Sequence, residues 1–355
     1  MTKIYLIRHA EAEGNIHRRA HGQFNGQIIG RGYQQIELLR ERFKDVKIDA
    51  VYSSDLDRTC ATAAPICRQH GLAINKTAEL REVNMGIWED VAWGDLEYQY
   101  PEMSRFFSID PARWHVSGSE DYFDVRTRMT ECIVEIARRY DGGTVAVFSH
   151  GFAIRAFICG VLGIRSDEVE KVLYCDNTAV ALLRYENETL SLEFQSDNSH
   201  LSSEISTFAN QTWWRAEKEW LSENLRYMKS DNNGYQMFPE LSVCDSRGDF
   251  IADSGYTAFL ANEPLGVIGL NENKGSNEGI GWISYIYIKP EFQRKGYGIQ
   301  LLGYAISVFR RLRREKLRVE VRTDGAALAF YSKFEFEITG RTETRCFLEK
   351  NIRNW

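Results

Sequence analysis

The sequence makes little use of the residues that constrain a chain most tightly. Only six of its 355 residues are proline. Its seven cysteines (Cys60, Cys67, Cys132, Cys159, Cys175, Cys244 and Cys346) form no CxxC pair. Scattered thiols, odd in number, read as reduced. They exclude a disulfide framework and a paired-cysteine zinc site, imply no metal, and point to a cytoplasmic setting. The formal charge is −6, so attraction to nucleic acid through bulk charge is excluded. No apolar run approaches the roughly 20 residues that span a bilayer. The opening MTKIYLIRH has no h-region or cleavage site of a secretory leader and reads directly as a strand. What remains is a globular composition, 43% hydrophobic and 12% aromatic, in a chain long enough for two domains.

In the first half, strand-like runs alternate with helical patterns. KIYLI is followed by DAVYS at Asp49–Ser53 and TVAVFS at Thr144–Ser149. Between them GYQQIELLRERF and YFDVRTRMTECIVEIARRY carry apolar residues at helical spacing. This alternation predicts a mainly parallel sheet with helices on both faces, whose ligands bind beyond the carboxyl ends of the strands.

Those strand ends carry the chemistry. The first stops on Arg8 and His9. The second runs into SSDLDRTCATA, where Ser53 to Asp55 are candidate helix caps and Arg58 falls in the first helical turn. The third ends in SHG, with His150 just ahead of the helix FAIRAFICGVLG. Two arginines and two histidines beside free helix N–H groups make a phosphate pocket. A neutral His9 imidazole can attack phosphorus and carry the phosphoryl group. Arg8 and Arg58 supply forked donors for the equatorial oxygens, and His150 donates to the same oxygens. The leaving alkoxide needs a carboxylic acid over the pocket, and LREVNMGIWED offers Glu82, with Glu89 and Asp90 as competitors.

These four strings (Arg8-His9, SSxLxRxxxTA around Arg58, LRE…GxWE around Glu82, and SHG at His150) resemble the histidine phosphatase superfamily, the phosphoglycerate-mutase-like branch 1. The similarity runs over residues 1–201 and closes on DNSHL at Asp197–Leu201. It implies a three-layer α/β/α domain with His9 as phosphohistidine nucleophile and Glu82 as proton donor. By the same resemblance Arg8, Asn15, Arg58 and His150 bind phosphate. Ala10 and Asp90 stand where the family has glycine, and Pro65 is expected to kink the helix that Arg58 begins. His17 and His21, among Arg18 and Arg19, read as a solvated loop or as contacts to an anionic substrate. His70, next to Gly71, suits a helix C-terminus.

A polar stretch from Ser202 marks the boundary, giving domains at 1–201 and 224–355 joined by 202–223. ANQTWWRAEKEWL reads as a helix with aromatic residues on one side, and SDNNG at Ser230–Gly234 as a loop.

In the second half, YTAFLANEPLGVIGL reads as two strands around a turn at Asn262–Pro264. GWISYIYIKP at Gly281–Pro290 is a strand, EFQRKGYG a glycine loop, and IQLLGYAISVFRRL a helix with Ile299, Leu302, Ile306, Phe309 and Leu312 in register. Strand, glycine loop and helix together leave a row of backbone N–H groups that suits a pyrophosphate. Gln293-x-x-Gly296-x-Gly298 resembles the acetyl-CoA loop of GNAT-family acetyltransferases, with Asp324, Ala327 and Tyr331 matching a second family element. The likeness spans about Asn224–Asn351 and implies a mixed α/β domain using acetyl-CoA. On that resemblance Arg294, Lys295, Gly296, Tyr297, Gly298 and Ile299 hold the pyrophosphate, and Tyr287 and Ile288 line the pantetheine arm. Tyr331 protonates the CoA thiolate. Glu320 is a candidate base, and Glu335 replaces a common glycine. The basic run RRLRREKLR reads as a solvated helix face or a contact for the CoA 3′-phosphate.

The sequence therefore points to a bifunctional enzyme, a phosphatase of a small phosphorylated metabolite and an N-acetyltransferase of a small amine. A phosphomutase is one alternative. A phosphatase regulated by a CoA-binding module that transfers nothing is the other.

Overall fold

A computed structural model describes residues 1–211, 223–230, 237–238, 241, 252–323 and 325–353. Most of the aromatic segment after Ser202, the loop beyond Ser230, Cys244 and Asp324 lie outside the described residues. The chain divides into two compact units. One is Met1–Glu13 with Ala20–Glu89 and Gln99–Lys218; the other is Gly14–Arg19 with Asp90–Tyr98 and Glu219–Trp355.

The first unit is built on β1 (Thr2–Arg8), β2 (Ala50–Ser54), β3 (Ile74–Thr77), β4 (Thr144–Ser149), β5 (Val180–Glu186) and β6 (Thr189–Asp197). Their order is β3-β2-β4-β1-β5-β6. The first four are parallel, and β5 and β6 add antiparallel strands beside β1. Helices α2 (Gly30–Arg42) and α3 (Asp57–His70) cover one face, where Leu39, Ala63 and Ile66 pack on Ile7, Val51 and Phe148. Helices α6 (Tyr122–Arg139) and α7 (Gly151–Leu162) pack against each other and against β1. The expected three-layer α/β/α sandwich is present. Strands buried on both faces read as continuous apolar runs, which is why they were legible.

Several local readings change. The cap of α3 is Leu56 rather than Ser53 to Asp55: the Leu56 N–H donates to Ser54 Oγ, while no side chain caps the helix itself. The helix continues through Pro65 to His70, whose Nε2 lies 3.1 Å from the Phe43 carbonyl, with Gly71 left-handed at the cap.

The second unit carries β7 (Leu225–Ser230), β8 (Ser254–Leu260), β9 (Glu263–Asn271), β10 (Ile280–Ile288), β11 (Lys316–Arg322), β12 (Glu337–Arg341) and β13 (Arg345–Asn351). Their order is β12-β13-β11-β10-β9-β8-β7, with β10 and β11 the parallel pair. The β8–β9 turn is Ala261–Asn262, one step ahead of the expected position. Ala261 takes a φ of 53°, and Pro264 lies inside β9. Helix α8 (Tyr297–Arg311) buries Leu301, Leu302, Ala305, Ile306 and Phe309 in the core of this unit; Leu312 falls past its end and is exposed. Helix α9 (Ala326–Lys333) follows β11. Three shorter helices lie between these elements, α1 (Glu13–His17), α4 (Trp93–Gln99) and α5 (Pro101–Ile109).

Candidate active sites

Register brings the first site together. Arg8 pairs with Ser149 across the parallel β1–β4 ladder, so the next residues, His9 and His150, emerge side by side. Their ring centroids are 5.2 Å apart. Nδ1 of His9 lies 2.7 Å from the Ala10 carbonyl, to which it must donate, leaving the Nε2 lone pair bare. Burial holds this imidazole well below its ordinary pKa, and the charges of Arg58 and Arg8 act the same way.

Arg58, buried in the first turn of α3, donates from Nε to His150 Nδ1 at 3.2 Å. Its Nη1 and Nη2 reach the carbonyls of Phe24 and Gly22 at 2.7 and 2.6 Å. Burial lowers its pKa to about 10, against the opposing charges of Glu82 and Glu89. Because His150 accepts at Nδ1, its proton sits on Nε2, a buried atom with no hydrogen-bond partner. Arg8 donates from Nη1 to the Cys175 carbonyl at 2.5 Å, and its Nε is likewise buried and unpartnered. A side chain at Gly151 would put its Cβ 3.2 Å from that Nε, so glycine after His150 makes room for the guanidinium. Unmet buried donors are costly. Two of them, on the residue before His9 and on the histidine beside it, are candidate donors to an oxyanion.

Glu82 is half-buried over the N-terminus of α7 and accepts from the N–H groups of Phe152 and Ala153 at 3.1 and 2.8 Å. Burial raises its pKa; those N–H groups, the Arg58 charge and the Val83 N–H oppose the rise. Arg81 is no partner of Glu82, because it grips Asp55 with both arms at 2.6 Å. The competitors have other duties. Glu89 accepts from the N–H groups of Gly22, Gln23, Phe24 and Met85 at 2.7 to 3.2 Å. Asp90 pairs with Arg19.

Asn15 is half-buried on α1 and groups with the second unit. The solvated-loop reading of His17 is corrected, because the residue is 5% exposed. His21 lies beside Phe24, with ring centroids 4.5 Å apart and the planes tilted by 36°. A brace that sequence reasoning missed holds the nucleophile's backbone: Asn177 Nδ2 donates to the His9 carbonyl at 2.9 Å. Asp176 in turn accepts from Ser206, Asn198 and the Phe208 N–H. The terminal DNSHL segment also acquires a role, since His200 bridges Arg42 and Thr178.

In the second unit, β10 and β11 pair only from Ile280↔Lys316 to Ile283↔Val319. Beyond a bulge at Ser284, β10 stays with β9 to Ile288, while β11 stays with β13 to Arg322. The strands fork there. Tyr287 and Ile288 lie on one arm, and Glu320, 3.7 Å from Arg345, on the other. The loop after β10 has left-handed residues at Arg294 (φ 60°) and Gly296 (φ 87°), the latter the N-cap of α8. Arg294, Lys295 and Gly296 are exposed, Tyr297 and Gly298 half-buried, and Ile299 buried. An exposed loop ending on unpaired helix N–H groups fits a pyrophosphate. Tyr331 on α9 is 4% exposed, and burial raises its hydroxyl's pKa. The basic run divides: Arg311, Arg313 and Lys316 are exposed, as a solvated face requires, whereas Arg310 donates to the Ile352 carbonyl, Arg314 to the carbonyls of Glu272 and Ser276, and Arg318 pairs with Glu349. These contacts sit at the helix end opposite the loop.

The chain thus joins an α/β sandwich that gathers two histidines and two arginines at its strand ends to a forked mixed sheet with a glycine loop ahead of a helix. The sequence model of the histidine phosphatase superfamily (branch 1) matches residues 4–198, and the chain belongs to that family. The model of the acetyltransferase (GNAT) family matches residues 210–336. Phosphoserine phosphatase 1 of Hydrogenobacter thermophilus is 30% identical over 186 residues, 52% of this chain and 88% of its own length. A probable phosphoglycerate mutase GpmB of Proteus mirabilis is 27% identical over 207 residues, 57% of this chain and 96% of its own. Among solved structures, Bacillus stearothermophilus YhfR superposes with a TM-score of 0.55 at 26% identity, covering 56% of this chain and 99% of its own. Among the described residues no helix is long and apolar enough to cross a membrane.

Proposed function

We propose that the first unit hydrolyses a small phosphomonoester through a phosphohistidine on His9. The observation that carries the reading is the pair of buried, unpartnered donors, Arg8 Nε on the residue before His9 and His150 Nε2 on a ring 5.2 Å from the His9 imidazole. His9 Nε2 attacks phosphorus as the ester P–O bond breaks, and Glu82 gives its proton to the leaving oxygen. Arg8, Arg58 and His150 hold the equatorial oxygens throughout. Glu82, now a carboxylate, takes a proton from water as that water attacks phosphorus and the P–N bond breaks. Inorganic phosphate leaves and His9 is restored. The phosphoserine phosphatase relative makes phosphoserine the first ester to try.

The second unit is proposed as an N-acetyltransferase of a small amine. Acetyl-CoA, when bound, supplies the acyl group as a thioester. Backbone from Arg294 to Ile299 would hold its pyrophosphate, Tyr287 and Ile288 would line the pantetheine arm, and Asp324 lies outside the described residues. Tyr331, kept protonated by burial, would give its proton to the thiolate.

The test is the whole chain against panels of phosphorylated metabolites and of amines with acetyl-CoA. His9→Ala should cost phosphate release about a thousandfold and spare acetyl transfer. Tyr331→Phe should slow acetyl transfer about tenfold and spare phosphate release. Isomerised ester in place of free phosphate would make the first unit a mutase. Acetyl-CoA binding with no acyl transfer would make the second a sensor. Neither activity nor binding would end the proposal.

A further inference from the structure

Asp90 occupies a position where the resembling family has glycine, and its backbone shows why: φ is 56°, in the left-handed region. An aspartate there is strained by roughly 1 kcal/mol, and three contacts hold it. Arg19 Nε donates to Asp90 Oδ1 at 2.6 Å, Arg19 Nη2 donates to the Asp90 carbonyl, and Ser307 Oγ donates to Oδ2 at 2.6 Å. Arg19 Nη2 also reaches Ser307 Oγ at 2.7 Å, closing a ring of three side chains. Arg19 is 4% and Ser307 1% exposed. The Trp93 N–H donates to the Arg18 carbonyl at 3.0 Å, stapling the two early segments together inside the second unit.

Both segments continue directly into the phosphate pocket. Arg19 precedes Ala20, His21 and Gly22, and Asp90 follows Glu89. Glu89 holds the N–H groups of Gly22, Gln23 and Phe24, and Arg58 holds the Gly22 and Phe24 carbonyls. At the other end, Ser307 lies on the same face of α8 as Gly303, Gln300 and Gly296, at steps of four, three and four residues. Gly303 accepts the His17 ring, whose carbons would be 2.4 Å from any Cβ there. Gln300 takes the Leu225 N–H at 3.1 Å. Gly296 is the N-cap beside the glycine loop.

We propose that Asp90, Arg19 and Ser307 form a positioning node through which helix α8 sets the Gly22–Phe24 loop and hence the aim of Arg58. The kinetic part rests on the reading of Arg58 as a phosphate-binding group. None of the three node residues touches the reacting atoms.

The test is hydrogen exchange on the full chain, followed at the peptide covering residues 20–26, with Ser307→Ala and Ser307→Thr. The alanine variant should speed exchange of that peptide at least threefold and leave peptides from α6 unchanged. Threonine, which keeps the hydroxyl, should restore the wild-type rate. In parallel, kcat/KM for p-nitrophenyl phosphate should fall three- to tenfold in the alanine variant, chiefly through kcat. Unchanged exchange at 20–26, acceleration spread evenly over the chain, or failure of threonine to restore protection overturns the node. A wild-type chain that releases no phosphate overturns the proposed phosphatase instead, and the exchange measurement still decides this proposal.

Discussion

Arg58 Nε stands 3.2 Å from His150 Nδ1, and because a guanidinium only donates, the His150 proton is on Nε2. That tautomer leaves the His150 Nε2 N–H, like Arg8 Nε, buried and without a partner. Removing it with His150→Ala should lower kcat/KM for phosphate release by about a hundredfold, mainly in kcat, as loss of one oxyanion donor does elsewhere. Steady-state kinetics on any accepted monoester checks this. An effect confined to KM would mean that His150 binds ester and transition state equally.

The pH profile follows from two opposed shifts. His9 must be neutral to attack, and its pKa lies well below 6.5, so activity should persist through mildly acidic pH and fall only below it. Glu82 must carry a proton, and its pKa is raised above 4.5, so activity should fall as pH climbs through that higher value. The optimum should therefore be acidic. In kcat/KM, which reports only the steps up to phosphohistidine formation, Glu82→Gln should slow alkyl phosphates far more than p-nitrophenyl phosphate, whose leaving group needs no proton. Equal losses on both esters would remove Glu82 from the acid's role.

His200 should make the fold acid-sensitive. Its Nδ1 accepts from Arg42 at 3.2 Å and its Nε2 reaches Thr178 Oγ1 at 3.0 Å. Burial and the Arg42 charge lower its pKa to about 4. An unfolded chain takes up that proton near pH 6.5, whereas the folded one waits until about pH 4. The stability it contributes is complete above 6.5 and is lost as pH falls through the window. His200→Gln should reduce the slope of unfolding free energy against pH there by up to about 1.4 kcal/mol per pH unit. Denaturant titrations at several pH values measure it.

Glu335 is left-handed, with φ 65°, at the position where the resembling family has glycine. Its carboxylate pairs with Lys350 at 2.8 Å but is 44% exposed, so the pair is worth little. Glu335→Gly should stabilise the second unit by about 0.5–1 kcal/mol through relief of backbone strain. A lowered melting temperature would show that the ion pair outweighs the strain.

Three of the four parallel strands, β1, β2 and β4, were legible because each carries a buried apolar run that ends on a charged or hydroxyl residue, whereas β3 (INKT), an edge strand with little burial, was not. Arg8, His9, Arg58 and His150 were readable for the same reason: each lies at or just past a strand end or in the first turn of the helix that follows. The β5–β6 hairpin was not. Its two-residue turn, Asn187 and Glu188, takes positive φ at both positions without the glycine that usually signals it. The Gly22–Phe24 loop was invisible because it works through main-chain N–H and C=O groups, which every residue type carries, and the Asn177 side-chain amide braces another such group, the His9 carbonyl. The part played by Glu89 shows the limit most clearly. It looked like a possible acid, but four backbone N–H groups surround it.

The Gly22–Phe24 loop has one more effect, felt after chemistry is over. Its peptide dipoles turn their negative ends to Arg58 and their positive ends to Glu89, so a buried cation and a half-buried anion are linked across a few main-chain amides. A guanidinium balanced this way offers an arriving dianion less than its full charge. Orthophosphate has the shape of the group just cleaved and is the product most apt to clog such a cup. Partial compensation loosens its grip and favours turnover over retention.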